Sequence, residues 1–339
     1  MKLGRSSYKF NQVYLQDGAT VVGTVEGDGP LGKYFDYVNS DLYFGQKSWE
    51  QAEIKMVEKT ISQMLAKTNS KASDIDLAIG GDLVNQLVPS NYAMRSFDIP
   101  FLGVYSACAS VIEAAIIASK FINSNSVKNS LIFASSHNNM AEKQFRMPVE
   151  YGGPKSKTAQ YTTTGAGAGL LSSELGSVQV ESATIGFVVD AMQNNPSDMG
   201  TAMAPAAAET ILRHFQDLSL DANYYDLIIT GDLASIGSPI MIDLLQQHGY
   251  DISAMHQDCG NLIYGDGQDT LAGASGAGCI SVVLFSYIID LIKTKKAKKI
   301  LVVGTGALLN ALIVSQKETI PCIAHAIALS ATDFGGETL

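Results

Sequence analysis

Two stretches of this chain decide how it is read: GVYSACASVIEAA at 103–115 and GASGAGCISVVLF at 273–285. In the first, the apolar run Pro100 to Tyr105 reads as a strand. A turn of small residues follows (Ser106-Ala107-Cys108-Ala109-Ser110), and then Val111, Ile112, Ala115 and Ile116 recur at helical spacing. One cysteine therefore sits where a strand becomes a helix. The second stretch lies 170 residues further on (273 against 103), and the same offset relates KNSLIFASSHNNM (128–140) to KKILVVGTGALLN (298–310). DIDLAIGGDL (74–83) is echoed by YYDLIITGDL (224–233), and GAGAGLLSSE (165–174) by IAHAIALSAT (323–332). Each echo is weak alone; their common order along the chain predicts a duplication.

Short apolar runs alternating with helical periodicity predict strand–helix–strand units, hence an α/β fold with mostly parallel sheet covered on both faces. Strands are expected near 75–80, 101–105, 130–135, 165–171 and 178–185, and again near 226–230, 270–274, 299–303 and 322–329. Helices are expected over 48–67, 109–122, 201–217, 238–248 and 277–293. The polar stretches 155–164 and 249–269 read as loops. Two such halves, 1–190 and 191–339, pack most economically face to face. A site then falls where they meet, at strand C-termini and helix N-termini.

Composition narrows the function. The 339 residues carry a formal net charge of −10, which disfavours nucleic-acid binding, and 46% are hydrophobic, enough for a large core. Cys108, Cys259, Cys279 and Cys322 form no CxxC pair, so no zinc site is expected, and without a secretory signal they are expected as thiols. No apolar run approaches the roughly 20 residues that span a bilayer. TTTGAGAGLLS (162–172) lacks the strand-to-helix context of a dinucleotide fingerprint, and its glycines are read as letting the backbone pass close to the pocket or the other half. Asp266 and Asp269 in YGDGQD lack the calcium-loop spacing. No cofactor and no metal is expected.

A helix start offers unpaired N–H groups and positive potential. That environment activates a cysteine as a nucleophile, or binds a small anion beside it. Cys108 fits either use, or a small buried residue at a tight turn. His137, after the strand SLIFAS, is expected beside that turn and can donate to a carboxylate; otherwise it fixes a local turn with Asn138 and Asn139. Asp82 orients His137, contacts calcium or caps the next helix, and its repetition as Asp232 favours a structural role for both. Gln144 and Arg146, with Lys143, suit carboxylate recognition or a solvated loop. Ser110 and Asn138 complete the candidate set. His325 reads as a core histidine.

The chain resembles the thiolase superfamily, and more closely the stage V sporulation protein AD family of spore-forming bacteria. The resemblance rests on GPLGKYFD (29–36), GGDLVNQ (80–86), YSACASVIEA (105–114), SSHNNMAEKQFRMPVEYGGPK (135–155), DMGTAMAPAAAET (198–210), TGDLASIGSPI (230–240) and VVGTGALLNALIVSQKETIPCIAHA (302–326). It implies a thiolase-like αβαβα layering and the binding of dipicolinic acid (pyridine-2,6-dicarboxylic acid), free or as its calcium chelate, for uptake into the developing spore. It implies further a homodimer, other stage V sporulation A membrane proteins as partners, and a peripheral place on the cytoplasmic side of the forespore or spore inner membrane. Condensing enzymes of the superfamily pair the cysteine with His-His or His-Asn from the second half. Here those places read TGDLASIG and LAGASGAG, which offer neither. The expectation is therefore a non-enzymatic binding protein; a Cys108-dependent acyltransferase and an assembly scaffold are the alternatives.

Overall fold

The computed structural model describes residues 1–145 and 155–332. Five strands of the first half, β1 (Tyr14–Gly23), β2 (Leu77–Gly81), β3 (Phe101–Gly103), β4 (Asn129–Ser136) and β5 (Gly165–Ser172), lie side by side in the order β1-β5-β4-β2-β3. Five more, β6 (Val178–Thr184), β7 (Leu227–Thr230), β8 (His256–Asp258), β9 (Lys299–Ala307) and β10 (Cys322–Ala331), lie in the order β6-β10-β9-β7-β8. In each set the last three strands are parallel and the two before them antiparallel. The sets join through β1 and β6, where Leu15 faces Val178. The parallel cores are apolar throughout (Leu77 to Ile79; Leu227 to Ile229), as strands covered on both faces must be.

The duplication reaches single hydrogen bonds. Asp76 accepts the N–H groups of Lys128 and Asn129 at 2.7 and 2.9 Å, and Asp226 accepts those of Lys298 and Lys299 at 2.7 and 2.9 Å. One carboxylate thus clamps the entry of β4, and its copy the entry of β9.

The helices are α1 (Trp49–Lys67), α2 (Val88–Met94), α3 (Ser110–Asn123), α4 (Asn138–Phe145), α5 (Met199–Leu218), α6 (Ala234–Gln247) and α7 (Ala277–Val283), the last continuing through a π-helical stretch, Leu284–Ile288, into Ile289–Lys293. α1 covers the outer face of the first set and α5 that of the second. Ser48 and Asp198 cap them by accepting the N–H groups of Gln51 and Thr201. α3 and α7 fill the middle: α3 lies on β2 and β4 and reaches β9 and β10, while α7 lies on β4 and β5. Both are apolar nearly all round, with Val111, Ile112, Ile116, Ile280 and Val283 at or below 3% exposure, as a helix between two sheets requires. The layering is αβαβα.

Three features depart from the sequence expectations. The strand expected near 270–274 is only Ala274–Ser275, which pairs with Tyr161–Thr162 away from the main sheet. The copy of β3 is instead β8, inside the stretch read as a loop; its residues His256-Gln257-Asp258 carry no apolar signal because β8 ends the sheet. β1, a central strand, was not expected, since Gln16, Asp17 and Gly18 interrupt its pattern and the ladder bulges between Leu15 and Asp17.

Candidate functional site

Cys108 stands at the start of α3, after Ala107. Ala107 is held at φ 52°, a conformation that costs a non-glycine residue energy and turns the chain sharply from β3 into the helix. Ser110 secures the turn: its hydroxyl donates to the Ala107 carbonyl at 2.7 Å and accepts the Ser106 N–H at 3.2 Å. Ala107 and Cys108 open the helical turn, so their N–H groups have no acceptor within it. Both line a cavity of about 230 Å³ between the halves, with Leu83, Tyr105, Phe145, Thr162, Met199, Ser275, Leu309 and Asn310 among the other walls. The walls are mainly apolar and, among the described residues, include no Lys, Arg or His. Asn310 uses its Oδ1 to cap the N–H groups of Leu312 and Ile313, leaving its amide N–H2 without a partner among the described residues.

Behind the thiol lies Asp232, 1% exposed. It accepts hydrogen bonds from the Ser275 hydroxyl (2.8 Å), the Gly276 N–H (3.1 Å) and the Thr305 hydroxyl (2.5 Å). Ser275 Oγ is 4.0 Å from Cys108 Sγ. Burial, and then the charge of Asp232, push the Cys108 thiol well above its ordinary range. The helix start that would favour a thiolate is overridden, and the thiol stays protonated. No histidine assists it. His256 bonds Thr230 Oγ1 at 2.8 Å on β8, His325 Nδ1 accepts the Gly186 N–H, and His214 lies between Thr184 and Tyr225.

Of the described residues singled out in the sequence, Cys108 lines the cavity and His137, Asp82, Gln144, Ser110 and Asn138 do not. His137 does not reach it: Nε2 donates to the Leu42 carbonyl at 2.9 Å and Nδ1 accepts the Asn139 N–H at 3.2 Å, the local-turn arrangement. With burial lowering its pKa, the ring is neutral. Asp82 also stays local, accepting from the Val84 N–H (2.8 Å) and from the N–H and hydroxyl of Ser90 (2.9 and 2.6 Å). Burial raises its carboxyl to about 6. Gln144 spans the same turn, donating to the Leu83 carbonyl at 2.8 Å and accepting the Asn85 N–H at 3.0 Å, while Lys143 pairs with Glu50. Asn138 donates to the Thr162 carbonyl at 3.2 Å. Arg146 lies outside the described residues.

The sequence reading weighed Asp82 for the site while favouring a structural role for both Asp82 and Asp232; in the structure Asp82 binds its own turn, and Asp232 lies behind Cys108. Both end a parallel strand in the letters GDL. The capping work that Asp82 does in the first half falls in the second to Asp258, which accepts the N–H groups of Leu233, Ala234 and Gly260. That frees Asp232 to turn toward Cys108.

Two duplicated five-strand sets around a pair of buried helices, with a cysteine at the turn between them, make this a thiolase-like protein. Solved structures agree. The 3-oxoacyl-[acyl-carrier-protein] synthase III from Aquifex aeolicus VF5 aligns over 94% of this chain and 99% of its own, with a TM-score of 0.55 at 13% identity. A variant of Xanthomonas campestris OleA aligns over 94% and 97%, with a TM-score of 0.60 at 13% identity. At that identity the likeness concerns the fold. Sequence is more specific. Stage V sporulation protein AD of Bacillus subtilis (strain 168) is 45% identical over 329 residues, 96% of this chain and 97% of the relative, and the family described as stage V sporulation protein AD matches residues 4–330. The chain belongs to the stage V sporulation protein AD family, and its role is in sporulation. No helix among the described residues is long and apolar enough to cross a membrane.

Proposed function

We propose that the chain binds dipicolinic acid, free or as its calcium chelate, non-covalently in the cavity at Cys108, and serves its uptake into the developing spore. The observation that carries this is the cavity itself. At about 230 Å³ it is below the roughly 300–1,000 Å³ of drug-sized sites, and so suits a single-ring ligand. Tyr105 and Phe145 offer faces to a planar ring, and the N–H groups of Ala107 and Cys108 and the Asn310 amide offer donors to carboxylates. Three donors on Asp232 partly compensate its charge behind the cavity wall. In this reading the protein works peripherally at the forespore inner membrane, with other stage V sporulation A membrane proteins, as a homodimer.

Titration calorimetry of the purified protein with dipicolinate, with and without calcium, tests it. Saturable binding is expected, lost when Cys108→Trp fills the cavity and weakened about tenfold or more by Tyr105→Ala. Absence of binding under both conditions overturns the reading. The alternative, acyl transfer through Cys108, draws support from the fold but not from the thiol's state. It requires a covalent adduct, visible by intact-mass measurement after incubation with an acyl-CoA.

A further inference from the structure

The halves are also joined at a second place, away from Cys108. Glu26, on the short helical turn Thr24–Gly27, is 1% exposed. Its Oε1 accepts two hydrogen bonds, from the Thr164 N–H at 2.9 Å and from the hydroxyl of Tyr264, a second-half residue, at 2.7 Å. Its Oε2 is buried with no partner. Around it the halves interlock: Gln268 donates to the Val25 carbonyl at 2.7 Å, and the Tyr161 and Tyr264 rings meet edge to face at 5.6 Å; within the first half, the Gly23 N–H donates to the Thr164 carbonyl at 2.9 Å.

Thr164 ends the strip 161–164, which is itself a wall of the cavity. Tyr161–Thr162 pair with Ala274–Ser275, the Thr163 N–H bonds the Ser275 carbonyl at 2.8 Å, and both Thr162 and Ser275 line the cavity. Glu26 therefore holds the outer end of the strip whose inner end faces the ligand site.

We infer that Glu26 is a proton-operated latch between the halves: protonated, it holds the 161–164 strip and the cavity wall in place, and deprotonated, it releases them. The orphan oxygen explains the sense. A neutral carboxyl keeps both bonds through Oε1 and carries its proton on Oε2. An ionised one leaves a charge buried with one oxygen unpaired, which is costly. Burial raises its pKa to about 7, against hydrogen bonds that lower it. No Lys, Arg or His acts on it among the described residues. The titratable groups that face it are Tyr264 and Tyr161, both raised by burial and by Glu26. Lys155 lies 6.0 Å from the Tyr161 ring and pairs with Glu142.

The sign follows from linkage. In an opened junction Glu26 has the ordinary value of 4.5, in the closed one about 7. Closure is therefore strongest below the lower value and weakens by up to about tenfold per pH unit between the two, then no further.

Hydrogen exchange read by mass spectrometry, corrected for intrinsic rates, tests this on peptides spanning 161–164 and 262–268. Protection in the wild type falls across that window. In Glu26→Gln, which mimics the protonated carboxyl, it stays high and flat. Tyr264→Phe removes a donor that favours the ionised form, so the closed-state value rises further and the loss of protection continues to higher pH. Identical profiles in wild type and Glu26→Gln, or a folded Glu26→Gln that is unprotected at every pH, overturn the latch. A second readout rests on the function proposed above: the dipicolinate dissociation constant rises across the same window in the wild type and is flat in Glu26→Gln. Equal pH dependence in both proteins overturns the latch, whereas no binding at any pH, with the exchange pattern intact, overturns only the ligand reading.

Discussion

A helix start argues for a thiolate at Cys108, and a buried carboxylate argues against one. Burial settles it first, and Asp232 adds a full charge where the helix potential is a partial one. Asp232→Asn removes the like charge and keeps the side chain's shape, so alkylation of Cys108 by iodoacetamide at pH 8 should accelerate about tenfold or more. The Asp232 charge also raises the buried Cys259, Cys279 and Cys322 thiols, but these do not line the cavity. Acceleration at Cys108 with an unchanged urea midpoint supports the electrostatic account, while acceleration with a lowered midpoint means the substitution has merely loosened the fold. The cysteine and its turn were legible in the sequence because a strand, small residues and a helical period follow one another without a break. Its true partner was not legible. Asp82 and Asp232 carry the same local pattern, and only the presence of Asp258 on a strand the sequence hid decides which of them is free to face the other half.

At the scale of elements, the glycines of β5 show how closely the halves approach. A Cβ at Gly167 would stand 2.4 Å from the Ser281 carbonyl oxygen, and one at Gly169 2.2 Å from the Phe285 ring, both on the helix begun by α7. The sequence reading took these glycines as sites of close backbone approach, and the approach is to that helix. A backbone oxygen cannot turn aside as a side chain can, so Gly167→Ala must push α7 off β5. It should cost about 1–3 kcal/mol in urea unfolding, the range for overpacking a core. A cost below a few tenths would show that the helix is not tightly seated. Elements with apolar periodicity, such as α1, β4 and α5, fall where the sequence placed them. Among those missed, β1 and β8 lost that signal to polar residues or an edge position; the short helices α2 and α4 were missed as well.

For the whole molecule, the sheet has two ends, β3 and β8. An end strand presents unpaired N–H and C=O groups, which natural proteins cover or protect with charge. β3 has no such charge: its residues are Phe101, Leu102 and Gly103, with Leu102 44% exposed. Tyr92 and Tyr105, at 47% and 48%, are two more half-exposed apolar residues in the adjoining segments. A second copy meeting this strand across a two-fold axis would pair β3 with β3 and continue the sheet through both molecules. It would also cover Tyr105, which lines the cavity, so assembly and ligand binding would be linked. Leu102→Lys places a charge where that pairing needs an apolar side chain and should leave the fold intact, since the side chain is already half in solvent. Analytical ultracentrifugation should give a dimer for the wild type at micromolar concentration and a monomer for Leu102→Lys, with dipicolinate affinity reduced in the variant. A wild type that sediments as a monomer, or a variant that stays dimeric, would show that β3 is not the contact.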